Sequence, residues 1–205
     1  MLLIWGFRAR TKMLSEGVFY SPAAGGDAPY KLLEAKRWFT FFFIPLIPLN
    51  TLGTFVECQA TKATYDPKIL DNPTNAQFTD QLSLGLREVV AAVAAADGAI
   101  SEAEERLAVA IVGRQIQGYD VAAFRADVAQ AGVAPLDQRL VYLAGALNAQ
   151  GKESLLGAAA TIMASDGAID ERDRAEVERI GSLLTMSPAH VKGIIATAHE
   201  QSLAP

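Results

Sequence analysis

Cysteine is nearly absent. Cys58 is the only one in 205 residues, so no internal disulfide can form. One thiolate falls far short of the four ligands of a structural zinc site, and zinc is not expected. A reducing, cytoplasmic compartment follows as the natural expectation. Histidine is scarce too: His190 and His199 both fall on the last predicted helix and read as surface or helix-dipole residues rather than metal ligands. Basic charge is not in excess. The formal charge is −5 and the pI about 5.1, which disfavours a nucleic-acid partner. Long apolar runs are missing as well. The longest, Trp38 to Leu49, carries Pro45 and Pro48 and is well short of the ~20 residues that span a bilayer. The opening MLLIWGFRAR places its apolar stretch before its basic residues, the reverse of a signal peptide. Peripheral contact with the inner face of a membrane stays open.

What is present suffices for a packed core: 51% hydrophobic and 20% charged residues, which excludes wholesale disorder. The chain divides by character. Residues 1–75 hold 8 Lys+Arg and 6 Asp+Glu, whereas 76–205 hold 10 and 17. The first part contains both tryptophans and most of the prolines and aromatics. Its stretches Gly17–Tyr20, Tyr30–Glu34, Phe39–Ile44 and Thr54–Cys58 read as short strands. Pro45 and Pro48 would confine the central run to an edge strand or bend it. The FTFFFIPLIPL run is expected in the core; exposed, it would make an adhesive docking surface. The stretch Asp66 to Gln77 reads as turn material. The resulting division is a β domain over 1–70, a linker over 71–79 and an all-α domain over 80–205.

The second part is rich in Ala, Leu, Val and Glu. Apolar spacing predicts helices over Leu82–Ala96, Glu102–Gln117, Val121–Ala131, Gln138–Ala149, Lys152–Ser165, Glu171–Leu184 and Pro188–His199. Ser101-Glu102-Ala103-Glu104 fits a capping box; Asp120, Asp170 and Ser187 are expected N-caps, with Pro188 in the first helical position. The fold class expected is mainly α: a bundle of about seven helices behind a small β domain.

Two segments of the helical part repeat. Ala94–Ala108 reads AAADGAISEAEERLA and Met163–Val177 reads MASDGAIDERDRAEV. Asp97 aligns with Asp166, Gly98 with Gly167, Ile100 with Ile169 and Glu104 with Asp173. The glycine permits positive φ after a helix, and the isoleucine is expected to turn back into the core. Asp97, Glu104, Asp166 and Asp173 are the candidate metal ligands. Their carboxylates suit a hard divalent cation, calcium first, magnesium or manganese next. The spacing matches the later part of an EF-hand loop, but positions 1 and 3 would be Val93 and Ala95, or Ile162 and Ala164, none with a side-chain oxygen. A full EF-hand is rejected. The competing reading is plain: acidic residues in a first turn also serve as caps and favour the helix dipole.

With these residues on view, the region 80–200 resembles the TerB-like (tellurite-resistance TerB) family, through ADGAISEAE at Ala96–Glu104 and SDGAIDERD at Ser165–Asp173. The resemblance implies two related helical halves, an acidic divalent-metal cluster and a link to tellurite and chemical-stress responses. The first half resembles a degenerate form of a small bacterial zinc-ribbon family. Its knuckle positions are Ser21, Ala24, Cys58 and Thr61, three of them not cysteine, and packing of Trp38, Phe39, Phe41, Phe43, Ile44 and Tyr65 would have to replace the metal.

Other chemistry is thin. Cys58 has no nearby histidine and reads as inert. Gly25-Gly26 is too short for a phosphate loop, and no Ser/His/Asp arrangement is apparent. The expectation is a non-enzymatic binding or stress-response module with an unidentified protein partner. The alternative is a structural protein–protein or membrane-surface interaction protein without metal. A metal-dependent hydrolase ranks third, because no general base has a clear role.

Overall fold

The computed structural model describes residues 5–41, 44–133, 135–165 and 170–203. The chain separates into two compact units, 1–79 and 80–205.

The first unit is an antiparallel meander: β1 (Trp5–Ser21), β2 (Gly26–Phe41), β3 (Ile44–Cys58) and the short β4 (Thr64–Tyr65), paired in that order. A 3₁₀ turn, Pro67–Asp71, follows; Asp66 caps it by accepting from the Lys68 amide. The strands are far longer than their aromatic and β-branched segments suggest. Polar residues such as Arg8, Arg10 and Lys12 alternate with apolar ones through β1, and a partner strand, not local composition, makes that alternation a strand. As expected, Pro45 and Pro48 lie where β3 is an edge. β3 pairs with β4 only at Val56 and Glu57, while its register against β2 shifts repeatedly between Ala35 and Thr40.

The core of this unit differs from expectation. It consists of Phe19, Ala28, Val56 and Cys58, with Tyr30, Leu32, Tyr65, Ile69 and Leu70 packed against them. Phe19 meets Tyr30 and Tyr65 edge-on, at centroid distances of 5.7 and 5.6 Å, a favourable quadrupole geometry. Of the residues expected to pack here, Tyr65 takes part; the side chains of Phe41 and Phe43 lie outside what is described. Ile44 is 60% exposed, and Trp38 and Phe39 are half-buried away from this cluster. The physical reason is distance along the strand: at about 3.3 Å per residue, Trp38 and Ile44 lie beyond reach of the packing layer that Ile69 and Leu70 provide.

Seven helices follow among the described residues: α1 (Asn75–Ala94), α2 (Glu102–Gly113), α3 (Val121–Ala129), α4 (Leu136–Ala146), α5 (Ala149–Met163), α6 (Glu171–Leu183) and α7 (Pro188–Ser202). α1 starts seven residues before the expected Leu82. Thr74 and Gln77 exchange hydrogen bonds across its first turn, 3.2 and 3.0 Å, a capping box. Asp27 also accepts from the Asn75 and Ala76 amides. The Asn and Asp residues that argued for a turn therefore stand at, or just ahead of, a capped helix end.

The second unit is packed around Val89, Val90, Phe124, Leu140, Leu156 and Ile180, all fully buried. Close approach of α6 and α7 depends on Gly181, where an added Cβ would stand 2.5 Å from Val191 Cγ2. Asp120, Asp170 and Ser187 are N-caps as expected, and Ser101 and Glu104 form a full capping box. Among the described residues no helix is long and apolar enough to cross a membrane.

Candidate functional site

The first Asp-Gly corner joins α1 to α2. The Ala99 amide donates to Asp97 Oδ1 at 2.8 Å, and Gly98 takes φ +86°, a conformation that a residue with Cβ adopts at a cost. This turn carries residues 98–100 outward, so Ile100 is 40% exposed and does not return to the core as expected. The chain then enters α2. Glu104 Oε2 accepts from the Ser101 amide at 2.7 Å, while the Glu104 amide donates to Ser101 Oγ at 3.1 Å.

The second corner precedes α6. Asp166, like Gly167 and Ile169, lies outside the described residues. Asp170 Oδ1 accepts from the Arg172 amide at 2.7 Å, and Asp173 takes the position that Glu104 holds in α2. Both carboxylates are withdrawn from solvent: Glu104 is 7% and Asp173 6% exposed. Acidic residues in a first helical turn usually face water, so their burial at equivalent places sets them apart from Glu102 and Glu171, which are exposed.

Arg172 ties the start of α6 to the first corner. Its Nη1 donates to the Asp97 carbonyl oxygen at 3.4 Å. The start of α6 is thereby set beside the α1–α2 corner. An open groove of about 850 Å³ adjoins it, lined by Ala92, Ala95, Ala96, Leu136, Arg172 and Arg179. Arg179 is held by Glu176 and Asp137, and the hydrogen bonds it donates to Glu176 push its pKa further up despite burial.

The repeat carries no signal for Arg172, whose counterpart in the first copy is Ala103. A second cluster also went unread. Asp127 of α3 accepts from Arg87 Nε at 2.9 Å, Arg87 Nη2 at 2.6 Å and the Tyr119 hydroxyl at 2.6 Å. Burial and then the Asp127 bond hold the Tyr119 phenol well above its ordinary value. These partners are 40 and 8 residues apart, so no local spacing betrays them.

As metal ligands, the four candidates are not assembled by what is described. Among the described residues no group of three or more His, Cys, Asp or Glu side chains is placed to hold a metal ion. The chemistry of the donors suits a hard cation, since each is a carboxylate. Asp97 and Glu104 each spend one oxygen on a backbone amide, and a carboxylate has further acceptor capacity. The guanidinium of Arg172 beside Asp97 works against a cation there.

In the first unit, the thiol of Cys58 has no exposed surface. The Ser21 and Thr61 side chains that hydrogen-bond to it outweigh the cost of burial. The thiol is held down to about 7. The Ala24 amide donates to Ser21 Oγ at 3.3 Å. A lowered pKa in the folded state means stability present above the unfolded thiol value and lost as pH falls through about 7. A titration of thiolate ultraviolet absorbance should show a midpoint near 7; a midpoint at the ordinary thiol value of ~8.5 would contradict this. Ser21→Ala should move the midpoint upward.

No curated protein matches the chain, and no solved structure does. The sequence profile described as "tellurite resistance protein TerB" matches residues 83–195. That span takes in all of α2 to α6, both acidic corners and Arg172, and it covers more than half of the protein. The chain belongs to the TerB family of tellurite resistance proteins.

Proposed function

We propose that the protein is a non-enzymatic, cytoplasmic binding module whose acidic corners take up a divalent cation weakly, calcium in preference to magnesium or manganese. The observation that supports this reading is the Arg172–Asp97 hydrogen bond of 3.4 Å, because it brings the start of α6, where Asp170 and Asp173 lie, beside Asp97. Asp97 and Glu104 from one corner, and Asp166 and Asp173 from the other, would supply the oxygens. With several carboxylates and no preformed cage, affinity in the millimolar range is expected (~10⁻³ M). Calorimetric titration of the full chain with calcium, magnesium and manganese tests it. Asp97→Asn combined with Asp173→Asn should abolish the heat, and Arg172→Gln should strengthen binding by removing a like charge. No heat with the native chain, or unchanged heat with the double variant, would end this reading.

One observation favours a second reading, a structural interaction protein without metal. Asp97, Glu104 and Asp170 each cap a backbone amide, so helix termination alone accounts for them. The module would then work through a protein partner. On this reading the double variant loses some helix stability and nothing else.

For the first unit we propose a zinc-ribbon ancestry. This reading rests on the sequence resemblance; of the other three knuckle positions, Ser21 and Thr61 hydrogen-bond the Cys58 thiol, and the Ala24 amide reaches only Ser21 Oγ. Those three positions carry no thiolate or imidazole, so the residues present do not fit zinc.

A further inference from the structure

The β unit is longer than its core needs. Beyond Met13 and Leu33, the strands β1 to β3 continue as an arm on which, among the described residues, no second layer packs. Residues 7–13 and 46–54 are exposed throughout.

The arm is two-faced, and its sidedness is reversed relative to the core. In β2 the core side carries Ala28, Tyr30 and Leu32. Strict alternation puts Glu34, Lys36 and Trp38 on that same side farther out. Their partners across the ladder are Lys12, Arg10 and Arg8, so the continuation of the core face is basic. The opposite side, which near the core carries Glu16 opposite Lys31 and Val18 opposite Pro29, is mostly apolar in the arm. It presents Leu33 opposite Met13, and Phe39 between Phe7 and Ile47. Phe7 and Phe39 meet edge-on at 6.1 Å, yet Phe7 is 49%, Met13 49% and Ile47 55% exposed. The one cation on this side, Arg37, lies over the Phe7 ring at 4.2 Å. The apolar face is therefore a separate surface, not an overflow of the core. A three-stranded sheet standing alone in water is marginal unless that face is covered.

The charge says by what. The arm carries five Arg and Lys, Arg8, Arg10, Lys12, Lys36 and Arg37, against a single acid, Glu34. A second copy seated on the apolar face would leave the basic face without a counter-charge. A polyanion alone would have no use for the apolar face. An amphipathic element with one apolar side and one basic side fits the boundary of a membrane rich in negative headgroups.

We propose that this arm docks, apolar face inward, on a bilayer containing anionic phospholipid, with Phe7, Met13 and Ile47 entering the acyl boundary and the basic residues meeting phosphate. This goes beyond the cation-binding reading and does not rest on it.

Flotation of the full chain with vesicles is the test. Binding to a phosphatidylcholine–phosphatidylglycerol mixture is expected, with little to phosphatidylcholine alone, and release as salt is raised. Arg8→Glu with Arg10→Glu and Lys12→Glu should weaken binding at least about a hundredfold, since each basic residue near such a surface counts about fivefold. Phe7→Ser with Ile47→Ser should abolish it. All of these side chains are exposed, so the circular dichroism should be unchanged, and Asp97→Asn should bind vesicles normally. Failure of the native chain to float, or equal binding to both lipid compositions, would overturn the proposal. So would a vesicle-free dimer in sedimentation velocity that Phe7→Ser with Ile47→Ser dissolves, which would assign the face to a second copy.

Discussion

Phe124→Ala should cost about 4 kcal/mol of stability, the range measured for truncating a fully buried phenylalanine being roughly 3–5. The size of the effect comes from how α3 is held. The helix has nine residues and only one of them, Phe124, is buried; its ring has no exposed surface. A helix this short is marginal by propensity. Deleting the ring therefore removes nearly all the apolar burial α3 contributes and leaves a cavity beneath it. The other ties to α2 are weak. Arg125 and Glu105 pair at 3.0 Å, with the arginine side chain 68% exposed, and exposed pairs contribute ~0–1 kcal/mol. Urea unfolding followed by the helical signal measures the loss. A change below about 1 kcal/mol would mean that α3 is anchored elsewhere or that the site collapses without strain.

Asp127→Ala, one turn farther along the same helix, should cost about 2–3 kcal/mol. Asp127 accepts two bonds from Arg87 of α1 and one from Tyr119. Its side chain is 15% exposed and that of Arg87 32%, so the pair is mostly withdrawn from water. Removing one partner leaves a part-buried guanidinium and a hydroxyl unpaired, which is worse than never having had the pair. The Tyr119 phenol provides an independent check. Burial is the first cause of its raised pKa and the Asp127 bond the second. The variant should therefore titrate lower than the native protein yet still above a free tyrosine. If Asp127→Ala leaves the phenol unmoved, the hydrogen bond is not what couples α3 to Tyr119. The two substitutions are three residues apart on one face of the contact, so their costs should not add.

The helical unit was legible because its signals are local. Ser101, Asp120, Asp170 and Ser187 announce their helices by side-chain chemistry that acts within three residues, and the predicted and observed spans differ mainly at fraying ends. α1 shows the limit. Thr-Asn-Ala-Gln at 74–77 is a capping-box pattern, but Pro73 and Asn72 beside it outweighed it as turn residues. The β unit was legible in kind and not in extent. Val56 and Phe19 look like strand residues anywhere; Arg8-Ala9-Arg10-Thr11 becomes a strand only because Thr11 meets Ala35 across the ladder. The acidic corner was half legible. The left-handed Gly98 and the capping role of Glu104 could be read from spacing, whereas the outward course of Ile100 and the reach of Arg172 to Asp97 depend on how α1 and α6 pack. Contacts spanning 75 residues leave no trace in a local window.

The two prolines on the outer strand bear on whether the sheet can grow sideways. An arm with open borders invites a neighbour to zip alongside and seed a growing fibril. Pro45 and Pro48 have no amide hydrogen to offer a newcomer on one border. The other border, β1, is guarded by its charges and by the irregularity between Met13 and Ser15. Growth sideways is thus discouraged while the flat of the sheet stays open, so sticky side chains can be displayed without turning the protein into a polymer.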